Sequence, residues 1–146
     1  MMSVEENKAI VRRFYEEVMN NGQVELLDEL MDAEFDDRGE ALFGSPHGRQ
    51  VIKQGIIATR SILPDLHVTI EDMIAEGDMV GVRGTMRCTH QGEWLGVTPT
   101  GNELTWKGIA MFRLANGKLM QRWFNSDGLS IVQQLGLVPL TFKFPL

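Results

Sequence analysis

The sequence predicts an α+β domain in which helices come first and a curved antiparallel sheet follows, with a pocket for an apolar small molecule beneath the sheet. Three observations lead there. Apolar residues recur at helical spacing up to Pro64, and from Leu66 onward the period becomes two. Two turn signals, Glu76-Gly77-Asp78 and Ala115-Asn116-Gly117-Lys118, join the period-two stretches into long hairpins. Helices followed by hairpins, without strand–helix–strand alternation, give an antiparallel sheet with helices on one face. With 146 residues, 43% of them hydrophobic, the chain suits a single core, so residues 1–146 read as one domain.

The first helix is expected over residues 3 to 20. Ser3 can act as N-cap with Glu6 three residues on, Val4, Ile10, Val11, Phe14 and Val18 follow at helical spacing, and Asn21-Gly22 ends it. A second helix over 23 to 32 carries Val24, Leu27, Leu30 and Met31 on one side, and a short strand is expected at Glu34 to Asp36. The stretch Asp37 to Gly48, with Gly39, Gly44, Pro46 and Gly48, reads as a loop; helical spacing resumes from Arg49 to Leu63. The first long hairpin then runs from Leu66 to His90, and a loop follows through Gly92, Gly96, Pro99 and Gly101. Leu104 to Leu114 and Leu119 to Asp127 flank the Asn-Gly turn, and Gln121 to Asp127 is expected to form one pocket wall. A last helix spans 129 to 135 and ends at Gly136; the apolar tail LVPLTFKFPL is expected to dock on the domain or on a partner subunit.

A formal charge of −6 and no basic stripe exclude a phosphate-backbone partner, so no nucleic acid is expected. No apolar stretch approaches the roughly 20 residues that cross a bilayer, and the N-terminus lacks a signal-peptide core, so no membrane partner and a cytoplasmic location are expected. The single cysteine, Cys88, lies in a strand-like stretch where cysteine commonly packs as a small hydrophobe; no histidine follows it at a nucleophile's spacing. His47 and His67 lack the spacing of a metal site, and GxGxxG is absent; neither metal nor organic cofactor is implied.

The stretches IVRRFYEEV, PDLHVTIEDMIAEGDMVGVRGTMRCTHQGEWLGVTPTG and FRLANGKLMQRWFNSDGLSIVQQLG resemble the SnoaL-like polyketide cyclases over residues 5 to 137. The more specific parts are Thr89-His90-x-Gly92, Pro99-Thr100-Gly101, Gly117-Lys118 and Trp123 to Asp127 followed by Gln134-Leu135-Gly136. The resemblance implies the nuclear transport factor 2-like superfamily, a cone-shaped barrel of helices and bent sheet around a central cavity. It also implies a homodimer paired through the outer sheet face. That superfamily hosts many chemistries, so function rests on the pocket side chains.

Ring closure by an intramolecular aldol step needs a proton carrier near the acidic carbon and donors for the developing enolate oxygen. The family's catalytic aspartate position falls on Phe124 and its substrate-polarising histidine on Ala110, three residues before Arg113. By alternation Ala110 and Phe124 share the cavity face, so two polar catalytic positions have become apolar. The remaining proton carriers are His90 and Asp127, the candidate catalytic pair. His90 either meets a ligand or holds the loop after it; Asp127 is either a base of raised pKa or the N-cap of the last helix. Candidate substrate contacts are Tyr15, Arg83, Trp106, Ala110, Arg122, Trp123 and Phe124. Tyr15 could donate from the first helix, but at most one of Tyr15 and its neighbour Phe14 points straight inward, and Phe14 fits the apolar period better. Arg83 faces either the cavity or solvent. Arg122 shares Phe124's parity and lies either in the cavity, as a fixed cation for an enolate, or at its exposed mouth. In Asp36-Asp37, near the cone mouth, Arg38 stands where relatives often carry histidine. Trp94, Trp106, Trp123, Phe14, Phe112 and nine methionines supply adaptable apolar lining.

Two functions follow. One is a protein that binds, and transforms by cofactor-free acid/base chemistry, a hydrophobic carbonyl compound or ester. The other is a non-catalytic small-molecule-binding or dimerisation module, favoured by Ala110 and Phe124.

Overall fold

The computed structural model describes residues 2–39 and 42–139. Helix α1, Val4–Arg13, opens in a capping box: the Ser3 hydroxyl accepts from the Glu6 N–H at 3.0 Å, and Glu6 Oε1 accepts from the Ser3 N–H at 3.2 Å. It continues as a π-helical stretch, Phe14–Met19, in which the Asn20 N–H reaches back five residues to the Tyr15 carbonyl at 2.9 Å. The wider π turn reduces the angle between successive side chains, so Phe14 and Tyr15 are both buried. This corrects the expectation that only one of the two turns inward.

The second helix is shorter than its periodicity suggested. A 3-10 turn, Val24–Leu26, leads into α2, Leu27–Leu30, and Met31 already begins β1, Met31–Arg38. Helix α3 covers Arg49–Ile62. Four strands follow: β2 His67–Glu76, β3 Met79–Thr89, β4 Glu103–Ala115 and β5 Lys118–Ser126, before α4, Gly128–Gln134. The β4–β5 turn places Asn116 at φ 53° and Gly117 at φ 75°, the left-handed pair that a two-residue hairpin requires.

The sheet order is β1-β5-β4-β3-β2. β2 through β5 form the expected antiparallel meander, but β1 runs parallel to β5, so the sheet is mixed. The meander leaves β5 with an open edge, and β1, eight residues rather than three, fills it. In register, Asp37 lies opposite Arg122 and Ala110 opposite Phe124.

One apolar cluster joins α1, α2, α3 and the sheet around Phe14, Phe35 and Phe112; a second joins β3, β4 and α4 around Leu104, Trp106 and Ile131. The Gln134 side chain ties α4 to β4, accepting from the Thr105 N–H at 3.0 Å and donating to its carbonyl at 2.8 Å. Within the apolar tail, residues 140–146 lie outside the described residues. No helix among the described residues is long and apolar enough to cross a membrane.

Candidate functional site

Between the helices and the inner face of the sheet lies a cavity of about 410 Å³. Its helical wall is Ile52, Gly55, Ile56 and Thr59 of α3 with Phe14 and Tyr15 of the π stretch; its sheet wall is Val82, Gly84, Met86, Trp106, Gly108, Ala110, Arg122 and Phe124. Open space here is written in small residues. Gly84 faces Gly108 across β3 and β4, and Gly108 faces Ser126 across β4 and β5. A Cβ on Gly108 would stand 3.0 Å from Met86 Cε and 3.3 Å from the Asn125 carbonyl oxygen. At the rim, aromatic rings gather: Phe43 lies 5.9 Å from Phe124 and 6.4 Å from Trp94, and Trp94 lies 5.9 Å from Trp106, centroid to centroid.

Charge concentrates at one place in this largely apolar wall. Arg122 Nε donates to Asp37 Oδ1 at 2.9 Å and Nη2 to Oδ2 at 2.5 Å, a bidentate pair whose side chains are 14% and 3% exposed. The guanidinium carbon sits 4.4 Å from the Phe124 ring centroid, 5.6 Å from that of Phe14 and 5.8 Å from that of Phe112. Burial opposes the charge on Arg122, but hydrogen bonding to Asp37 and its negative charge outweigh it, so Arg122 is held above its ordinary pKa. Beside it, burial pushes the Tyr15 phenol up, with the Arg122 charge and hydrogen bonding pulling the other way. Tyr15 thus keeps its proton; its oxygen accepts from the Arg122 guanidinium, which leaves the phenol O–H as a donor, and both side chains line the cavity. Among the described residues, no group of three or more His, Cys, Asp or Glu is placed to hold a metal ion.

The pattern defining the SnoaL-like polyketide cyclase family matches residues 9–135, nearly the whole of the fold just described. The chain belongs to this family. Among solved structures, this SnoaL-like chain is similar to AclR, a hydroxylase candidate from Streptomyces galilaeus, at 25% identity and a TM-score of 0.84, covering 97% of this chain and 87% of that one. It is also similar to IdmH, a polyketide cyclase candidate from Streptomyces antibioticus, at 28% identity and 0.79, covering 89% and 98%. A cyclase candidate from Bacillus cereus gives 27% identity and 0.74, covering 91% and 82%. Among curated proteins none matches.

Of the candidate substrate contacts, Tyr15, Trp106, Ala110, Arg122 and Phe124 line the cavity. Arg83 and Trp123 do not: Arg83 pairs with Asp72 at 2.6 Å on the outer face, and Trp123 lies there under Arg113, 5.4 Å from guanidinium to ring. The structure does not bring His90 and Asp127 together in the cavity; neither lines it. His90 is fully buried and latches the 90–102 loop. Its Nδ1 accepts from the Thr100 N–H at 3.3 Å and lies 3.0 Å from the Thr100 hydroxyl, while its backbone bonds Asn102 and Gly101. That leaves the proton on Nε2, which is buried without a partner among the described residues. Asp127 is exposed and caps α4, accepting from the Ser130 N–H at 3.1 Å. Cys88 is buried, and desolvation, with Asp65 and Glu103 nearby, pushes its thiol up to about 12, so it is no nucleophile.

Asp37 is the charged cavity residue that sequence reasoning did not select, and the polar Thr59, Asn125 and Ser126 also line the cavity unselected. The partner of Asp37 lies 85 positions away on a strand that pairs in parallel, and no local periodicity encodes that register. The one signal available was Arg122 itself, an inward-parity arginine that calls for a buried carboxylate.

Proposed function

We propose that the chain binds a hydrophobic carbonyl compound or ester in the cavity, its carbonyl oxygen accepting from the Tyr15 hydroxyl and the Arg122 guanidinium. The observation that carries this reading is the Tyr15 phenol and the Arg122 guanidinium set together in a largely apolar wall: the wall takes the hydrocarbon, and the donors fix the carbonyl oxygen. Ala110 and Phe124 favour binding without the family's ring-closing chemistry, since neither side chain carries a proton. With His90 and Asp127 outside the cavity, the reading includes no acid–base step. Calorimetric titration with aromatic ketones and esters tests it. Tyr15→Phe should weaken a ligand that binds the wild type by about fivefold, one neutral hydrogen bond. Ligands that bind wild type and Tyr15→Phe equally would show that the carbonyl does not sit there.

The same proposal includes a homodimer through the outer sheet face. Ile74, Gly81, Met111 and Trp123 lie in register across four strands, and Ile74 and Ile109 are 73% and 60% exposed. These exposed apolar side chains, set among the ion pairs Arg83–Asp72 and Arg113–Asp78, call for cover. Sedimentation at micromolar concentration should give a dimer that Ile109→Lys dissociates; a wild-type monomer contradicts it. A cytoplasmic location belongs to this reading too, supported by a lone buried cysteine, and cell fractionation checks it.

A further inference from the structure

We propose that Asp37 sets the ligand's charge class: by neutralising Arg122 inside the cavity, it admits a neutral carbonyl compound or ester and refuses the corresponding carboxylate. The inference rests on the carbonyl reading above and sharpens it.

An arginine in an apolar cavity would ordinarily mark a site for an anion, because a carboxylate there gains two parallel charge-assisted hydrogen bonds. Here that place is taken. Asp37 occupies the guanidinium's Nε and Nη2 edge, and the two side chains are only 3% and 14% exposed. The charges lining the cavity among the described residues are Arg122 from β5 and Asp37 from β1; Tyr15 from the π stretch of α1 is the one other titratable side chain, and α3, β3 and β4 contribute none. A carboxylate entering would meet no uncompensated cation, would lie close to the Asp37 carboxylate, and would give up its hydration to apolar walls. A ketone or ester oxygen has no charge to desolvate and needs only donors. The direction of the Tyr15 shift agrees: burial outweighs the pull of Arg122, so a phenolate is disfavoured at this point of the cavity.

Asp37 is therefore a specificity residue and not a catalytic one, and the two roles separate experimentally. Methyl 2-naphthoate, 2-naphthamide and 2-naphthoate share one bicyclic hydrocarbon and differ in the charge of the carbonyl group. Calorimetric titration of the wild type at pH 7 to 8 should show ester and amide binding at least about a hundredfold more tightly than the carboxylate. As pH falls towards the acid's own pKa, apparent affinity for the acid should rise tenfold per unit, because the neutral acid alone binds. In Asp37→Asn, where Arg122 loses its counter-charge, the preference should reverse in favour of the carboxylate. Equal or tighter carboxylate binding by the wild type overturns the role of Asp37 while leaving the carbonyl reading standing. Failure of both ester and amide to bind removes the carbonyl reading, and this inference with it. Should Asp37→Asn not fold, the wild-type comparison and its pH profile decide alone.

Discussion

Replacing Asp37 with alanine would leave the Arg122 guanidinium buried with no carboxylate to receive it. The two side chains are 3% and 14% exposed, and the cation is flanked by the rings of Phe14, Phe112 and Phe124, so water entering the cavity replaces only part of what the carboxylate supplies. Breaking a buried pair from one side costs about 3–5 kcal/mol, a large share of the roughly 5–15 kcal/mol that holds a domain folded. With a urea m-value of about 2 kcal/mol per molar, the unfolding midpoint should fall by about 2 M. The exposed Arg83–Asp72 pair supplies the control: its side chains are 50% and 63% exposed, and Asp72→Ala should cost at most about 1 kcal/mol. Removing both partners as Asp37→Leu/Arg122→Met should recover most of the loss, because packed apolar side chains replace buried ion pairs at little cost. Urea unfolding followed by tryptophan fluorescence gives all four midpoints. An Asp37→Ala midpoint indistinguishable from that of Asp72→Ala would refute the reasoning, since it would mean the pair is solvated.

Other consequences follow from the same geometry. Ala110→Leu should fill the cavity opposite Phe124 and abolish ligand binding while leaving the thermal midpoint within a few degrees, as calorimetry and thermal unfolding together would show. Asp127→Ala should lose a helix cap, about 1 kcal/mol and about 4 °C of thermal midpoint, without altering ligand affinity; a binding defect would return Asp127 to the site. Tyr15 is the chain's one tyrosine, so its ultraviolet titration reports one group. Because burial raises it, phenolate should form only above the ordinary value near 10. The unfolded chain ionises first, so the stability linked to Tyr15 is complete below about pH 10 and is lost as pH climbs from there to the folded value. Cys88 should resist iodoacetamide at pH 8 until denaturant opens the core, since its thiol is buried and pushed up to about 12.

Local chemistry is what the sequence expresses most openly. The Ser3–Glu6 capping box, the Asn116-Gly117 turn, the extents of α3 and the two hairpins, and the facing of Ala110 and Phe124 all depend on residues close in sequence or on alternation, and all were readable. Two features were not. The π stretch at Phe14–Met19 has no signature in an amphipathic helix, yet it turns Tyr15 inward beside Phe14. β1 carries Asp32, Glu34, Asp36 and Asp37, a composition that hides a strand, and its parallel pairing with β5 is a non-local event. The polar heart of the cavity, Tyr15 with Arg122 and Asp37, sits where those two features meet. His90 and Asp127 drew attention as proton carriers at strand ends, positions where a loop latch and a helix cap demand the same residue types.

The carbonyl stretching frequency of a bound aromatic ketone tests the central claim most directly. For 2-acetonaphthone held against Tyr15 and Arg122, isotope-edited infrared spectroscopy should show the band well below its position in a hydrocarbon solvent, and Tyr15→Phe should move it part of the way back. A band at the hydrocarbon position in the wild type, or one that Tyr15→Phe leaves unmoved, would contradict a carbonyl oxygen seated on these donors.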